Sequence, residues 1–348
     1  MQQICVVGSA VHLPAGTETV DHAIEQKMIT RTEAGGLGVE RVHIAGKEEN
    51  APNLAVRAVK ESLRSAAVEP RSVSFFGYGH TYYQGHDFWS PAHYVARQTD
   101  MLNATPVSIN QMCNGGAAGL SIASSHLRAT QDKGAAVVAT SDVFKSPGFN
   151  RWSGDYDTAY GDGATATVLA NFTPSAPHLQ LLACQSTSSS RFEAMYRGED
   201  QFMAVPHERR KAIDIKATKR AFFRAEGGAA AFREEATLAI SRLFIRALGQ
   251  ARVRCDELSY VLLPRLSPKV LDLMYAPLLD GTEAICLRSD TGHLGAGDFL
   301  ANLDYAVHDD SLKVGGTVAV IGGGGGFTWT AAVFRKAEGR SRDLVKRT

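Results

Sequence analysis

Short apolar runs alternate along the chain with stretches whose apolar residues recur at helical spacing. The apolar runs begin with ICVVGSA near the N-terminus and continue at residues 72–78, 106–109, 135–141, 164–170, 179–189, 260–263, 283–287 and 317–321. The helical spacing covers residues 53–66, 92–99, 236–248 and 299–308. Runs of the first kind predict strands, and those of the second kind predict amphipathic helices. This alternation favours an α/β fold with mostly parallel sheets covered by helices.

The alternation occurs in two successive halves, which we place at residues 1–175 and 176–348. Residues 191–232 fit neither half and form an inserted segment. Two interpretations of this segment stay open: a cap over an active site, or a solvated surface loop and helix. Its basic residues could attract an acidic carrier protein, although charge runs are usually solvated surface. Those residues precede a Gly-Gly-Ala-Ala-Ala run and are Arg209, Arg210, Lys211, Lys216, Lys219, Arg220 and Arg224.

Composition narrows the class of protein. The chain has 348 residues, of which 44% are hydrophobic and 21% are charged, and its net charge is +1. These values are ordinary for a globular protein, and a net charge near zero selects neither nucleic acid nor a membrane surface. No apolar stretch reaches the roughly 20 residues that span a bilayer. The opening MQQICVVGSA lacks the basic region of a secretory signal. We therefore expect a cytoplasmic protein.

Cys113 is the first candidate for chemistry. It lies between an apolar strand and a predicted helix that opens with Gly115-Gly116-Ala117-Ala118. A strand-to-helix elbow exposes a nucleophile at the positive end of a helix, which favours the thiolate. The alternative role is that of a buried small hydrophobe. The chain has no Cys-x-x-Cys pair, which argues against a disulfide framework or a zinc site. Its five cysteines are Cys5, Cys113, Cys184, Cys255 and Cys286.

Two glycine-rich loops of the second half carry further candidates. His293 lies in the loop TGHLGAGD between a predicted strand and helix, and Asp298 lies at the start of that helix. An Asp can orient a His that activates a hydroxyl or a thiol. The simpler roles are a structural His and a helix cap. The glycines at 322–326 follow a buried strand and could point backbone N–H groups into an oxyanion hole. A phosphate-binding turn or a flexible hairpin is the alternative.

A third glycine motif, YGDGA at residues 160–164, precedes a predicted strand. We interpret it as a tight turn.

Together these segments resemble the type-three ketoacyl-acyl-carrier-protein synthases of the thiolase superfamily. The shared motifs are QMCNGGAAGL around Cys113, YGDGATATVL and GGGGGFTWTAAVF, in the family's order, and the resemblance covers residues 3–335. It implies a thiolase-like fold with five layers, α/β/α/β/α, two pseudo-equivalent halves and a homodimer. It also implies a tunnel for the phosphopantetheine arm of an acyl carrier protein or coenzyme A. No permanently bound cofactor and no metal are implied. The implied oxyanion hole uses the N–H groups of Cys113 and Gly325.

Two departures from the family's motifs change the expected reaction. The family's ketosynthases have a His in a Pro-His-Gln-Ala-Asn motif and an Asn in a Gly-Asn-Thr-Ser-Ala-Ala-Ser motif. Arg265 and His293 stand at those positions here, and Asp298 replaces the final Ser. In the ketosynthases, the His and the Asn stabilise the enolate that decarboxylation forms. A His paired with an Asp suits general-base activation of an alcohol instead.

This pattern resembles the ketosynthase-like acyltransferases of natural-product pathways. The resemblance implies that Cys113, His293 and Asp298 move an acyl group from a carrier-protein or coenzyme A thioester to a hydroxyl acceptor, such as a sugar. The product would be an ester, formed without decarboxylation. A decarboxylating ketoacyl synthase and a starter-unit-selecting ketosynthase of polyketide biosynthesis are the alternatives. A non-catalytic subunit that only binds a carrier protein is a third, against which Cys113 and the glycine run argue.

Overall fold

The structure is a computed structural model and describes residues 3–130, 133–199, 201–205, 212–225, 228–279 and 281–339. The elements of the first half are β1 (Cys5–His12), β2 (Gly16–Thr19), α1 (Val20–Glu25), α2 (Arg31–Ala34), β3 (Arg41–Ile44), α3 (Ala51–Ala66), β4 (Val73–Gly79), α4 (Pro91–Gln98), β5 (Thr105–Ile109), α5 (Gly115–Ala129), β6 (Ala135–Asp142) and β7 (Gly163–Ala170). The elements of the second half are β8 (His178–Ser188), α6 (Ala194–Arg197), α7 (Ile215–Ala225), α8 (Ala229–Ala251), β9 (Leu258–Leu262), α9 (Pro268–Met274), β10 (Ala284–Ile285), α10 (Asp298–His308), β11 (Thr317–Gly324) and β12 (Thr328–Ala337).

The elements differ from the sequence-based expectations mainly at glycine and alanine runs. Helix α8 begins at Ala229, earlier than expected, because the alanines after Gly228 favour helix. Strand β11 continues through Gly324, because β12 pairs with it up to Gly324 opposite Thr328. The β2–β3 hairpin and helices α1, α2, α6 and α9 were not predicted from the sequence.

Ten of the described strands form one sheet, in the order β10-β9-β11-β12-β8-β1-β7-β6-β4-β5. At its centre β1 meets β8 through two residue pairs, Cys5 with Gln180 and Val6 with Leu179. Outward from this junction, the first half has the order β1-β7-β6-β4-β5, and the second half has the order β8-β12-β11-β9-β10. Numbered by their order along the chain within each half, both sets of five strands read first, fifth, fourth, second and third. The two halves are therefore pseudo-equivalent in topology.

Strand pairing within each half is mixed, which corrects the expectation of mostly parallel sheets. In the first half, β4 is parallel to β5 and β6, whereas β7 is antiparallel to β1 and β6. The second half repeats this pattern, with β9 parallel to β10 and β11, and β12 antiparallel to β8 and β11. The antiparallel pairs arise because no helix crosses over between β6 and β7 or between β11 and β12.

Helices on both sides of the two half-sheets complete the five layers of a thiolase-like fold. Helices α3 and α4 pack on the outer face of the first half-sheet, and α8 and α9 pack on the outer face of the second. The central layer consists of α5 and α10, which place Leu120 and Leu300 in a core shared by strands of both halves. No helix in the described ranges is both long and apolar enough to cross a membrane.

Candidate active site

Cys113 lies in the turn between β5 and α5, half-buried. Met112 begins this turn with a left-handed φ of 48°. The hydrogen bonds of the turn are donated by Asn114 to the Gln111 carbonyl (3.1 Å) and by Gly115 to the Met112 carbonyl. The turn therefore does not use the N–H of Cys113. Because α5 begins at Gly115, the thiol lies at the positive end of the helix dipole.

Buried polar contacts tie this turn to the sheet of the second half. Asn114 is fully buried, and its Nδ2 donates hydrogen bonds to Gln111 Oε1 (2.6 Å) and Thr330 Oγ1 (3.0 Å). Thr330 lies on β12 and is 2.8 Å from Ser186 Oγ on β8. The turn that carries Cys113 is thus fixed by both halves of the fold.

Small residues allow the start of α5 to touch the loop before α10. A Cβ on Gly116 would lie 2.9 Å from the carbonyl oxygen of Ala296, and one on Gly115 would lie 3.2 Å from the Ala296 Cβ. Any larger side chain at Gly116 would push the two segments apart, since the clash is with backbone. This close approach places the loop that carries His293 against the turn that carries Cys113.

Cys113, His293 and Asp298 form a continuous chain of contacts. His293 Nε2 lies 3.0 Å from Cys113 Sγ, and His293 Nδ1 lies 2.5 Å from Asp298 Oδ2. Asp298 also accepts backbone hydrogen bonds from Leu294 at Oδ1 (2.8 Å) and from Arg265 at Oδ2 (3.0 Å). His293 and Asp298 are 4% and 3% exposed, so the pair is shielded from water. This is the geometry in which an acid orients a base beside a nucleophile.

The electrostatics of the pair favour a charged imidazolium beside a carboxylate. Burial lowers the pKa of His293, but attraction to Asp298 and Cys113 outweighs it and holds that pKa well above its ordinary value. Burial raises the pKa of Asp298, but the His293 charge and Arg265 outweigh it and keep that pKa low. The site thus stabilises a proton on His293 beside the Asp298 carboxylate.

Arg265 lies behind Asp298 and is absent from the cavity lining described below. Its Nε is 4.0 Å from Asp298 Oδ1, and its guanidinium donates to Thr291 Oγ1. The side chain is 5% exposed, and its Nε has no hydrogen-bond partner within the described part of the chain. Burial therefore lowers the pKa of Arg265. The guanidinium supports the carboxylate from behind and does not line the cavity.

The YGDGA motif is more than a tight turn. The His293 N–H donates to the Ala159 carbonyl (2.8 Å), and the Gly161 N–H donates to the His293 carbonyl (2.9 Å). A Cβ on Gly161 would lie 2.0 Å from the carbonyl oxygen of Thr291, so only glycine permits this approach. Tyr160 packs its ring edge-on to His293, with centroids 5.0 Å apart. The motif therefore holds the His293 loop in place, a role that local sequence could not reveal.

Asp142 is a buried carboxylate that sequence reasoning missed. Its Oδ1 accepts hydrogen bonds from the N–H groups of Thr81 (2.8 Å) and Tyr82 (2.7 Å), and its Oδ2 accepts one from Ala296 (3.0 Å). It joins the segment after β4 to the loop that carries His293. Burial raises its pKa to about 6. Nothing in the sequence around the end of β6 distinguishes this aspartate from a surface residue.

The glycine turn between β11 and β12 lies against the turn that carries Cys113. A Cβ on Gly324 would lie 3.0 Å from the Cys113 nitrogen and 2.4 Å from the Asn114 nitrogen. Gly325 lines the cavity, and its N–H donates to no acceptor within the described ranges. The two residues of the predicted oxyanion hole, Cys113 and Gly325, therefore line the same cavity.

The cavity has a volume of about 580 Å³ and is lined by Cys113 and His293. The described part of the 191–232 segment contributes to its wall, as the cap interpretation requires. Aromatic rings form much of the lining: Tyr160, Tyr196, Phe223, Phe232, Phe327 and Trp329.

The basic residues of that segment do not form one exposed patch. Lys216 pairs with Glu33 (2.8 Å), and Lys219 pairs with Asp155 (2.5 Å). Both lysines are at most 16% exposed, which corrects their assignment to a carrier-binding surface. Arg220 and Arg224 are exposed at the cavity. The other basic residues of the prediction, Arg209, Arg210 and Lys211, lie outside the described residues.

The remaining cysteines lie elsewhere and are free thiols. Burial raises the pKa of Cys5 and of Cys184 to about 11 and also raises that of Cys286. Cys255 contacts Thr282 (3.2 Å). None of these four lines the cavity that Cys113 lines.

Comparisons with known proteins agree with this architecture. Residues 248–336 match the family model described as 3-oxoacyl-[acyl-carrier-protein] synthase III, C terminal. The chain is 23% identical to the beta-ketoacyl-[acyl-carrier-protein] synthase III of Pectobacterium atrosepticum, over 95% of this chain and 98% of the relative. Among solved structures, the acyltransferase ChlB3 superposes with a TM-score of 0.87 and 26% identity, covering 97% of this chain and 98% of ChlB3. The tetronic acid condensing enzyme AbyA1 gives a TM-score of 0.76 and 20% identity, covering 95% and 99%.

The fold and these matches make the chain a ketoacyl synthase III-like protein with a thiolase-like fold. It is a ketoacyl synthase III-like enzyme of the condensing or acyl-transferring kind.

Proposed function

We propose that this enzyme transfers an acyl group from a phosphopantetheine thioester, through Cys113, to a hydroxyl acceptor in natural-product biosynthesis. The product is an ester, and no carbon dioxide is lost. The donor is an acyl carrier protein or coenzyme A.

The observation that carries this proposal is the contact chain from Cys113 through His293 to Asp298, at 3.0 Å and 2.5 Å. A decarboxylating ketosynthase needs two neutral donors that meet the enolate oxygen. Here Arg265 stands at one of those sequence positions, and its guanidinium lies behind Asp298. The other position holds His293, which Asp298 orients. The arrangement suits proton transfer better than enolate stabilisation.

The first half-reaction acylates the enzyme. The Cys113 thiolate attacks the thioester carbonyl, and the N–H groups of Cys113 and Gly325 stabilise the negative oxygen of the tetrahedral intermediate. When the intermediate collapses, the carbon–sulfur bond to the carrier breaks. His293 gives its proton to the leaving thiolate. The acyl group is then bound to Cys113, and His293 is neutral.

The second half-reaction follows from the change in charge. Attraction to the Cys113 thiolate is one cause of the raised His293 pKa, and acylation removes that thiolate. His293 then takes the proton of the acceptor hydroxyl, whose oxygen attacks the acyl carbon. The ester leaves, and Cys113 returns as a thiolate beside a protonated His293. The enzyme thus returns to its starting protonation state after each turnover. The kinetics should be ping-pong.

The test is a product balance. The protein is incubated with an acyl carrier thioester, coenzyme A thioesters and a panel of sugar and polyol acceptors. The proposal predicts one ester and one free thiol per turnover and no carbon dioxide. A β-keto product with one carbon dioxide per turnover would instead establish a condensing enzyme, the activity named for the structural neighbour AbyA1.

A further inference from the structure

A buried ion pair lies in the wall of the active-site cavity, and the steps described above do not use it. Lys219 Nζ is 2.5 Å from Asp155 Oδ1, with side chains 14% and 3% exposed. Both residues line the cavity together with Cys113 and His293. Taking two charges out of water is costly, so stability alone does not account for an ammonium in the wall of this cavity.

The fold fixes Asp155 from its own side. Its Oδ2 accepts a hydrogen bond from the Tyr160 hydroxyl (2.9 Å), and its Oδ1 accepts one from the Tyr156 N–H (2.7 Å). Tyr160 in turn packs against His293. The carboxylate is therefore held rigidly, and it fixes the position of the ammonium.

Lys219 remains charged in this position. Burial disfavours its charge, but attraction to Asp155 and Tyr196 outweighs burial and raises the pKa of Lys219 above its ordinary value. The ammonium lies 4.9 Å from the centroid of the Tyr196 ring. An ammonium has three N–H donors, and its side-chain hydrogen bonds with Asp155 and Tyr196 use two of them. Lys219 can therefore donate to a ligand in the cavity.

Lys219 lies near the reacting end of the cavity. The Tyr196 ring that it contacts lies over Gly325, where a Cβ would be 2.5 Å from Tyr196 Cε2. The remaining basic side chains of the lining, Arg220, Arg224, Arg233 and Lys269, are exposed. The pantetheine arm separates the phosphates of a donor from its thioester, so the phosphates belong with the exposed residues. The group that meets Lys219 is the acyl group.

We propose that Lys219 recognises a carboxylate at the far end of the acyl group, so that the preferred donors are thioesters of dicarboxylic acids. This inference rests on the proposed acylation of Cys113. A carboxylate forms a charge-assisted hydrogen bond with an ammonium. An acyl group that ends in methyl groups would displace water from Lys219 without replacing its hydrogen bonds, which is unfavourable.

Initial rates of Cys113 acylation, followed by intact mass, test this selectivity. Succinyl is compared with the isosteric, uncharged 4-methylpentanoyl group, each as a coenzyme A thioester and on an acyl carrier protein. Succinyl cannot decarboxylate to an enolate, so the comparison is free of condensation chemistry. The wild type should prefer succinyl about 10-fold or more, as expected for one charged hydrogen bond. Lys219→Met should abolish this preference, and Lys219→Arg should retain much of it.

The matched control is Lys216→Met. Lys216 lies on the same helix and pairs with Glu33, away from the cavity lining, so the preference should not change. Because Lys219→Met leaves Asp155 unpaired, the double variant Lys219→Met/Asp155→Asn is measured as well, with thermal unfolding of each. Equal rates for the two donors in the wild type would overturn the proposed role of Lys219, and so would a preference that survives in both Lys219→Met variants. Neither result would contradict the proposed acylation of Cys113. No acylation by any donor would contradict the proposed function itself.

Discussion

The backbone N–H of Arg265 donates a hydrogen bond to Asp298 Oδ2 over 3.0 Å, and its guanidinium lies 4.0 Å from the other oxygen of the same carboxylate. One residue thus fixes the position of Asp298 through its main chain and stabilises its charge through its side chain. The backbone hydrogen bond is kept when Arg265 is replaced by any residue except proline. The contact of the guanidinium is lost when the side chain is replaced. The two roles can therefore be separated by experiment.

Arg265→Met should shift the acid limb of the pH–rate profile of acyl transfer to higher pH. Loss of the guanidinium removes one of the causes that keep the pKa of Asp298 low, and it also favours a proton on His293. We expect a shift of about one pH unit and a roughly 10-fold lower rate near neutral pH. Arg265→Lys should restore most of the profile. An unchanged profile, with Arg254→Met as the exposed control, would assign Arg265 a purely structural role.

His293→Ala should separate the two half-reactions. The transfer step needs a base, so its rate should fall about 10²- to 10⁴-fold, while acylation of Cys113 should fall less. Asp298→Asn should act in the same direction, since the amide cannot stabilise the imidazolium. Rapid quench and intact mass measure the two steps separately. Transfer at the wild-type rate in both variants would show that this pair is not the base.

Gly324→Ala should abolish activity and destabilise the protein. The added Cβ would lie 2.4 Å from the Asn114 nitrogen and 2.9 Å from the Gln111 carbonyl oxygen, and neither backbone atom can move freely. We expect a loss of about 1–3 kcal/mol in the free energy of unfolding. Gly249→Ala is the matched control because no atom lies within 4 Å of its added Cβ. It lies in α8 and should stabilise the helix by up to about 1 kcal/mol. Equal effects of the two substitutions would contradict the close approach at Gly324.

Asp142→Asn should alter how stability depends on pH. The pKa of Asp142 is raised from 3.8 to about 6 by burial, so the folded state binds its proton more tightly than the unfolded state does. Its contribution to the free energy of unfolding therefore falls as pH rises through this range. The stability difference between wild type and variant should change by about 3 kcal/mol between about pH 3 and 7. Urea unfolding across that range measures it, and a difference that stays constant with pH would refute the assignment.

Local pattern was enough to predict most of the fold and the residues with their own motifs. Strands β6 and β7 are continuous apolar runs, and α3 has a clean apolar stripe after an Asn50 cap that accepts the Asn53 N–H (3.0 Å). The position of Cys113 in a turn before a helix was predictable because small residues follow it. Elements such as β2 and α6 carry only four residues each, too few for periodicity to appear.

The polar contacts that hold the loops of the site in place were not predictable, because they join residues that are far apart in the chain. Asp142 reaches Ala296, and Asp155 reaches Lys219. Neither pair has a local signature, since an isolated aspartate or lysine is usually a surface residue. The basic stretch that includes Lys219 was therefore interpreted by its charge, whereas its burial depends on how α7 packs.

Intact mass of the protein after mixing with malonyl thioester tests the central claim most directly. The account predicts a single adduct that keeps the malonyl carboxylate, is absent in Cys113→Ala, and disappears when a hydroxyl acceptor is added. An acetyl adduct on Cys113 that condenses with added malonyl carrier protein, with carbon dioxide released from the malonyl group, would contradict it and make the chain a condensing enzyme.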